Sequence, residues 1–241
     1  MSTHSLAIEV EVGTHHTVQF LGLTWNIDTI IATVVAGGIL LALALLLRRS
    51  LNARKPRGIQ LFFETVVAQV EEQVESTMGI RTAPFVVPLA VALFLFILIA
   101  NWLSILPSGH PEWLPPPASD VNLTYALALL VIVWMHATGV RKRGVKGYYH
   151  HLFQPYWFMF PINLVEEIAR PLTLALRLFG NIFSGVIMVS LIALFPAWLL
   201  WAPDVVWKLF DMFIGLIQAF IFGLLTVIYF SSVRPAEEGA H

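Results

Sequence analysis

A long amphipathic segment decides how this chain is interpreted, and its residues 161–184 read PINLVEEIARPLTLALRLFGNIFS. Pro161 can begin a helix, and only Pro171 interrupts the helical pattern before Pro196. Polar side chains recur at every third or fourth position, which places them on one stripe of a single predicted helix. The members of this stripe are Asn163, Glu166 or Glu167, Arg170, Thr173, Arg177, Asn181 and Ser184.

The composition indicates that this helix belongs to a membrane protein. Of 241 residues, 58% are hydrophobic and 12% are charged, whereas a soluble domain carries about 25% charged residues. The net charge of −1 offers no basic surface for nucleic acid. Because there are no cysteines, disulfides and thiolate metal sites are excluded. The pairs His15–His16 and His150–His151 are interpreted as surface pairs rather than metal ligands, so neither a metal nor a cofactor is expected.

The apolar tracts predict one all-α, polytopic membrane domain over residues 1–241, with about five membrane helices. The last two helices are too long for an upright crossing, because Asn163 to Phe195 alone would span about 50 Å against a hydrocarbon core of roughly 30 Å. They are therefore expected to form a strongly tilted hairpin. The predicted ranges are 1–27 for an outer arm, 29–47, 83–106 and 121–140 for membrane helices, 59–79 for an amphipathic helix on the cytoplasmic side, lying on the membrane or on a partner, and 161–195 and 204–233 for the hairpin.

Lysine and arginine are distributed unevenly among the predicted connections. Six lie between the first two membrane helices, four follow the third, and Arg234 follows the last. The N-terminal arm and residues 107–120 contain none. Because these residues mark the cytoplasmic side, the N-terminus is expected outside and the C-terminus inside.

Arg177 is predicted near the middle of the first hairpin helix, and Gln218 near the middle of the second. Because the helices are antiparallel, these two residues are expected to meet at similar depth. An arginine at mid-bilayer costs at least about 2.5–3.5 kcal/mol on insertion scales, and it keeps its charge. An internal salt bridge is the alternative, but no carboxylate of this chain is predicted at that depth. A carboxylate from another subunit or from a substrate is therefore expected.

The predicted topology sorts the other polar groups to the two sides of Arg177. This arrangement indicates two offset half-channels that are separated by a fixed positive charge. The groups predicted on the outer side are Asp120 and Asn122, at the start of the third membrane helix, together with Asn181, Ser184 and Asp211. Those predicted towards the cytoplasm are Glu166, Glu167 and Tyr229.

Three blocks of the sequence resemble the signature of subunit a of F-type ATP synthases, in a bacterial and most nearly actinobacterial form. The similarity covers residues 61–231, and the blocks LRLFGN and QAFIF are specific. The first block is PINLVEEIARP at 161–171 with LRLFGN at 176–181, the second is LIQAFIF at 216–222 with Tyr229, and the third is ASDVN at 118–122.

The resemblance implies a non-catalytic stator subunit of the cell membrane, beside a rotating ring of c subunits. Protons would enter by one half-channel, neutralise a ring carboxylate and leave by the other, so that proton flow drives rotation and ATP synthesis. The b subunit of the peripheral stalk, membrane lipid and the rest of the F1Fo ATP synthase would be its other partners. By the same match, Arg177 faces the ring carboxylate, Asn181, Gln218, Asp211 and Asp120 line the outer path, and Glu166 and Glu167 line the cytoplasmic path.

The sequence departs from a common family pattern on the outer path. Many members pair a Glu or His after the asparagine with a complementary residue on the last helix. Here those positions align with Val186 and Asp211. We therefore expect Asp211 to act with water, Asn181 and Asp120 instead of in a two-residue relay.

Two other classes of membrane protein predict features that this sequence lacks. A secondary transporter predicts internal symmetry and broken helices at matching positions, and the sequence has neither. A membrane-embedded enzyme predicts a catalytic motif such as H-E-x-x-H or G-x-S-x-G, and neither occurs. His136 lies inside the third membrane helix, where it either touches a half-channel or satisfies a packing role.

Overall fold

The computed structural model describes residues 17–20, 23–50, 58–77, 79, 84–103, 121–150, 158, 160–196 and 198–232. A short antiparallel ribbon joins β1 (Thr17–Phe20) to β2 (Leu23–Asn26), with Thr17 opposite Asn26. The sequence analysis did not predict this ribbon, although its segments are rich in the β-branched and aromatic residues that favour strands. Six helices follow: α1 (Ile27–Ser50), α2 (Ile59–Thr77), α3 (Val86–Leu103), α4 (Val121–His150), α5 (Phe160–Ile192) and α6 (Trp201–Ser231).

Helix α3 is the centre of the fold. It contacts α1, α2 and α6. Of the residues in its apolar stretch 67% are buried, compared with 11% for the apolar stretch of α1. Helix α6 approaches α3 closely because two glycines lie between them. A Cβ at Gly215 would be 3.0 Å from the Cβ of Asn101, and one at Gly223 would be 3.5 Å from the Cβ of Phe94. Small residues at such positions let two helix backbones pack tightly within a membrane.

Helix α2 is amphipathic and packs on α3 and α6. Its apolar side chains Phe63 and Val74 are buried in the hydrophobic core. Its glutamates are exposed, so the apolar and acidic faces are separated as helical periodicity requires. The exposed glutamates are Glu64, Glu71, Glu72 and Glu75.

Helix α4 continues past its apolar part and bends at Gly144. That residue has φ 71° and ψ 159°, which a glycine adopts without the penalty that a Cβ would bring. Arg141 and Lys142, just before the bend, are exposed. The bend thus lies where the apolar helix gives way to a basic segment.

The hairpin consists of α5, with 33 residues, and α6, with 31. Each begins with a proline in its first turn, Pro161 and Pro203, where the missing N–H removes no intrahelical hydrogen bond. Helix α5 is continuous through Pro171. At 1.5 Å per residue the two helices are about 50 Å and 46 Å long.

The predicted all-α, polytopic class is confirmed. Four described helices are long and apolar enough to cross a membrane: Ile27–Arg49, Val86–Leu103, Asn122–Lys142 and Trp201–Ser231. Helix α5 carries a shorter apolar segment in its second half. Its apolar part is Phe183–Ile192.

Candidate functional site

Arg177 lies one residue past the midpoint of α5, on an exposed side of the helix. Among the described side chains, no carboxylate forms an ion pair with it. Its neighbour Leu176 is also exposed, whereas Ala175, on the opposite side, is only 1% exposed. The cation therefore points away from the body of the chain.

Helices α5 and α6 touch on both sides of Arg177. Seven residues before it, Arg170 donates from Nη1 to the Ser232 hydroxyl at 3.3 Å, and its guanidinium lies 5.6 Å from the centre of the Tyr229 ring. Eight residues after it, Gly185 faces Asp211, whose Oδ1 would be 3.6 Å from a Cβ at the glycine. The antiparallel pairing that the sequence predicted thus brings Asp211 against α5.

Gln218 does not meet Arg177 through a hydrogen bond. Its side chain is only 6% exposed, and its Nε2 has no hydrogen-bond partner among the described residues. It lies on the buried stripe of α6, which also carries the two glycines that contact α3. Both residues lie near the middle of their helices, but Arg177 is exposed whereas Gln218 is buried.

Two side chains of α3 were missed by the sequence analysis. Asn101, which is 6% exposed, donates from Nδ2 to the Gly215 carbonyl at 3.2 Å. The Trp102 indole donates from Nε1 to the Met212 carbonyl at 3.3 Å. The signal in the sequence was an asparagine inside an otherwise apolar tract, a kind of residue that is costly in a membrane unless it has a role.

The remaining candidates have different positions. Asn122 and Ser184 are exposed on α4 and α5, and Tyr229 is half-buried beneath Arg170. The backbones of Glu166, Glu167 and Asn181 are helical, but their side chains are outside the description. Asp120, His15 and His16 lie outside the described residues. The Nδ1 atom of His136 forms a hydrogen bond with the carbonyl oxygen of Ile132 at 2.8 Å. This contact favours the packing role, one of the two roles that the sequence left open.

These features define a multi-pass membrane protein whose last two helices form a hairpin with an exposed cation near its middle. The sequence matches the family described as ATP synthase A chain over residues 30–231. This chain belongs to the ATP synthase subunit a family.

Curated relatives agree with that membership. A protein of Acidothermus cellulolyticus named ATP synthase subunit a is 56% identical over 228 residues, covering 95% of this chain and 84% of the relative. Its counterpart in Mycobacterium marinum is 51% identical and matches the full length of both chains. A more divergent one, from Bacillus subtilis, is 37% identical over 90% of this chain and 96% of the relative. The predicted bacterial, actinobacterial-like resemblance is therefore confirmed.

Proposed function

We propose that this chain is the proton-conducting stator subunit of a bacterial ATP synthase in the plasma membrane. In this function it loads and unloads carboxylates of a c-subunit ring and itself performs no catalytic chemistry. The observation that carries the proposal is the exposure of Arg177 at the middle of α5. An arginine at that depth needs a carboxylate or water to offset its desolvation.

A moving partner supplies that carboxylate in our proposal. As a ring carboxylate arrives beside Arg177, the fixed positive charge favours its ionised form and so promotes release of its proton. The same charge repels a proton that would cross directly from one half-channel to the other. Rotation of the ring is then the route that joins the two half-channels.

The outer half-channel is assigned to Asp211, Asn181, Gln218 and Asp120, with Asn122 and Ser184 near its entrance. Asp211 supports this assignment because it sits in the contact between α5 and α6, beside a glycine that leaves room around its carboxylate. The inner half-channel is assigned to Glu166, Glu167 and Tyr229. Tyr229 lies next to Arg170, which makes the cytoplasmic end of the hairpin polar.

The orientation and partners follow from the same proposal. The N-terminus lies outside and the C-terminus in the cytoplasm, as the distribution of lysine and arginine favours. The exposed side of α5 meets the c-subunit ring. The b subunit of the peripheral stalk and membrane lipid cover other apolar surfaces, and the remaining subunits complete the F1Fo enzyme.

The decisive experiment compares two arginines of the same helix. Inverted membrane vesicles carrying Arg177→Ala should lose ATP-driven proton pumping, measured with a pH-sensitive dye, while ATP hydrolysis by the detached catalytic head persists. Arg170→Ala is the matched control and should keep most of the pumping, because Arg170 contacts residues of its own chain. Normal pumping by Arg177→Ala would refute the proposal.

A further inference from the structure

Two consecutive residues at the end of α3 hold α6 through its backbone. Asn101 donates to the carbonyl of Gly215, and Trp102 donates to the carbonyl of Met212. Within a helix these carbonyls already accept the N–H four residues later, so each receives a second donor. A hydrogen bond to the backbone fixes the position of the helix itself and does not depend on the rotamer of a side chain on α6.

The two helices also approach each other closely at this place. A Cβ at Gly215 would stand 3.0 Å from the Cβ of Asn101, which is tighter than ordinary packing tolerates. The glycine therefore permits the approach, and the two donors use it. Together these contacts fix both the rotation of α6 about its axis and its height along α3.

Asp211 lies directly beside this contact. Met212 is the next residue, and Gly215 is one turn further on, about 40° around the helix axis from Asp211. Asp211 thus stands at the edge of the buried stripe, turned from α3 towards Gly185 on α5. A rotation of α6 by a few tens of degrees would carry the carboxylate out of that contact.

We propose that Asn101 and Trp102 are positioning residues that hold the Asp211 carboxylate against α5. The value of that position rests on the proposed function, in which Asp211 relays protons. The two hydrogen bonds are features of the structure, and their positioning role can be tested without measuring transport.

A crosslink reports the facing of α6 directly. Because the chain has no cysteine, the pair Gly185→Cys and Asp211→Cys can be introduced alone into the assembled enzyme and its disulfide yield measured after mild oxidation. Adding Asn101→Leu or Trp102→Phe removes one donor while keeping apolar volume. Each should lower the yield about fivefold, the effect of losing one hydrogen bond.

A matched control separates positioning from general packing. Gly223→Ala alters the same pair of helices about two turns beyond Gly215, where its Cβ meets Phe94 and Ala90 at ordinary distance. It should leave the crosslink yield unchanged. If Asn101→Leu reduces assembly, Trp102→Phe alone decides, since it loses the N–H and keeps an aromatic ring. An unchanged yield in Trp102→Phe and in any assembled Asn101→Leu would overturn the inference.

A second arm distinguishes this inference from the proposed function. With native residues at positions 185 and 211, Trp102→Phe should slow ATP-driven pumping about fivefold, and in an Asp211→Asn background it should cause no further loss. A reduced crosslink with reduced pumping only when Asp211 is present supports both ideas. A reduced crosslink with normal pumping leaves the positioning role standing and contradicts the relay role of Asp211.

Discussion

Helices α5 and α6 form one hairpin, yet they differ in how much of their surface the rest of the chain buries. Helix α6 buries a continuous stripe, Gly215 to Phe230, against the rest of the molecule and receives two hydrogen bonds from α3. Among the described residues of α5, only Ala175 and Ile192 are buried. One helix is thus fixed by the chain itself, while the other presents most of its surface outwards.

The difference shows which part of the site is internal. Asp211 and Gln218 lie on the helix that the chain holds firmly, whereas Arg177 lies among exposed apolar side chains such as Leu176 and Phe183. In the proposed function, this apolar surface and its cation meet an apolar partner that carries a carboxylate. The exposed face of α5 therefore has the chemistry of an interface within the membrane.

The largest expected effect comes from moving a cation to the buried side of α5. Ala175→Arg places a charge in the contact with the core, where an unpaired buried charge costs about 3–5 kcal/mol. The subunit should fail to accumulate in membranes, as measured by immunoblotting. Thr173→Arg, on the exposed side, is the matched control and should accumulate normally. Equal accumulation of the two variants would contradict the division between the faces.

The second prediction adds one methyl group to each helix. Gly215→Ala brings a Cβ within 3.0 Å of Asn101 and should lower the stability of the solubilised subunit by about 1–3 kcal/mol through overpacking. In Gly180→Ala on α5 the new Cβ meets no described atom within 4 Å, and the variant should gain up to about 1 kcal/mol from helix propensity. The temperature of heat-induced aggregation measures the stability change in both variants. Shifts of the same sign would remove the contrast between the helices.

The sequence predicted the two long helices of the hairpin, because helical periodicity and apolar length are local signals. The over-long helices were evident from the length of the two segments, and the first was also marked by Pro161 near its start. The antiparallel pairing then followed from connectivity. Arg177 was recognisable because a permanent cation amid apolar residues is costly.

What the sequence could not supply was the facing of each helix. Gln218 was expected opposite Arg177 from depth alone, but depth does not determine rotation about the helix axis. The hydrogen bonds that Asn101 and Trp102 donate to α6 join residues more than 100 positions apart in the chain. The residue pattern within α3 does not predict this contact, because the contact depends on a glycine of another helix.

The third prediction concerns a carboxylate of the firmly held helix. Asp211→Asn keeps the shape of the side chain and removes its proton-carrying group, so proton pumping should slow about tenfold, equivalent to about 1.4 kcal/mol in the barrier. Asp204→Asn is the matched control, because Asp204 pairs with Lys208 of its own helix at 3.0 Å. Pumping and subunit abundance are measured together. Equal pumping in both variants would argue against a relay at Asp211.

The smallest expected effect lies at the end of the hairpin where Arg170 of α5 contacts Tyr229 of α6. Arg170→Met keeps the apolar stem of the side chain but loses the contact with the Tyr229 ring and the hydrogen bond to Ser232. A cation over an aromatic ring contributes about 0.5–1 kcal/mol at exposed sites, so subunit stability should fall by that order while pumping stays nearly normal. Tyr229→Leu should produce a similar loss, and the double variant should lose little more than either single one, because both remove the same contact. Fully additive losses in heat-induced aggregation would mean that Arg170 and Tyr229 act separately, and a large loss of pumping in Arg170→Met would show that α5 carries two functional cations instead of one.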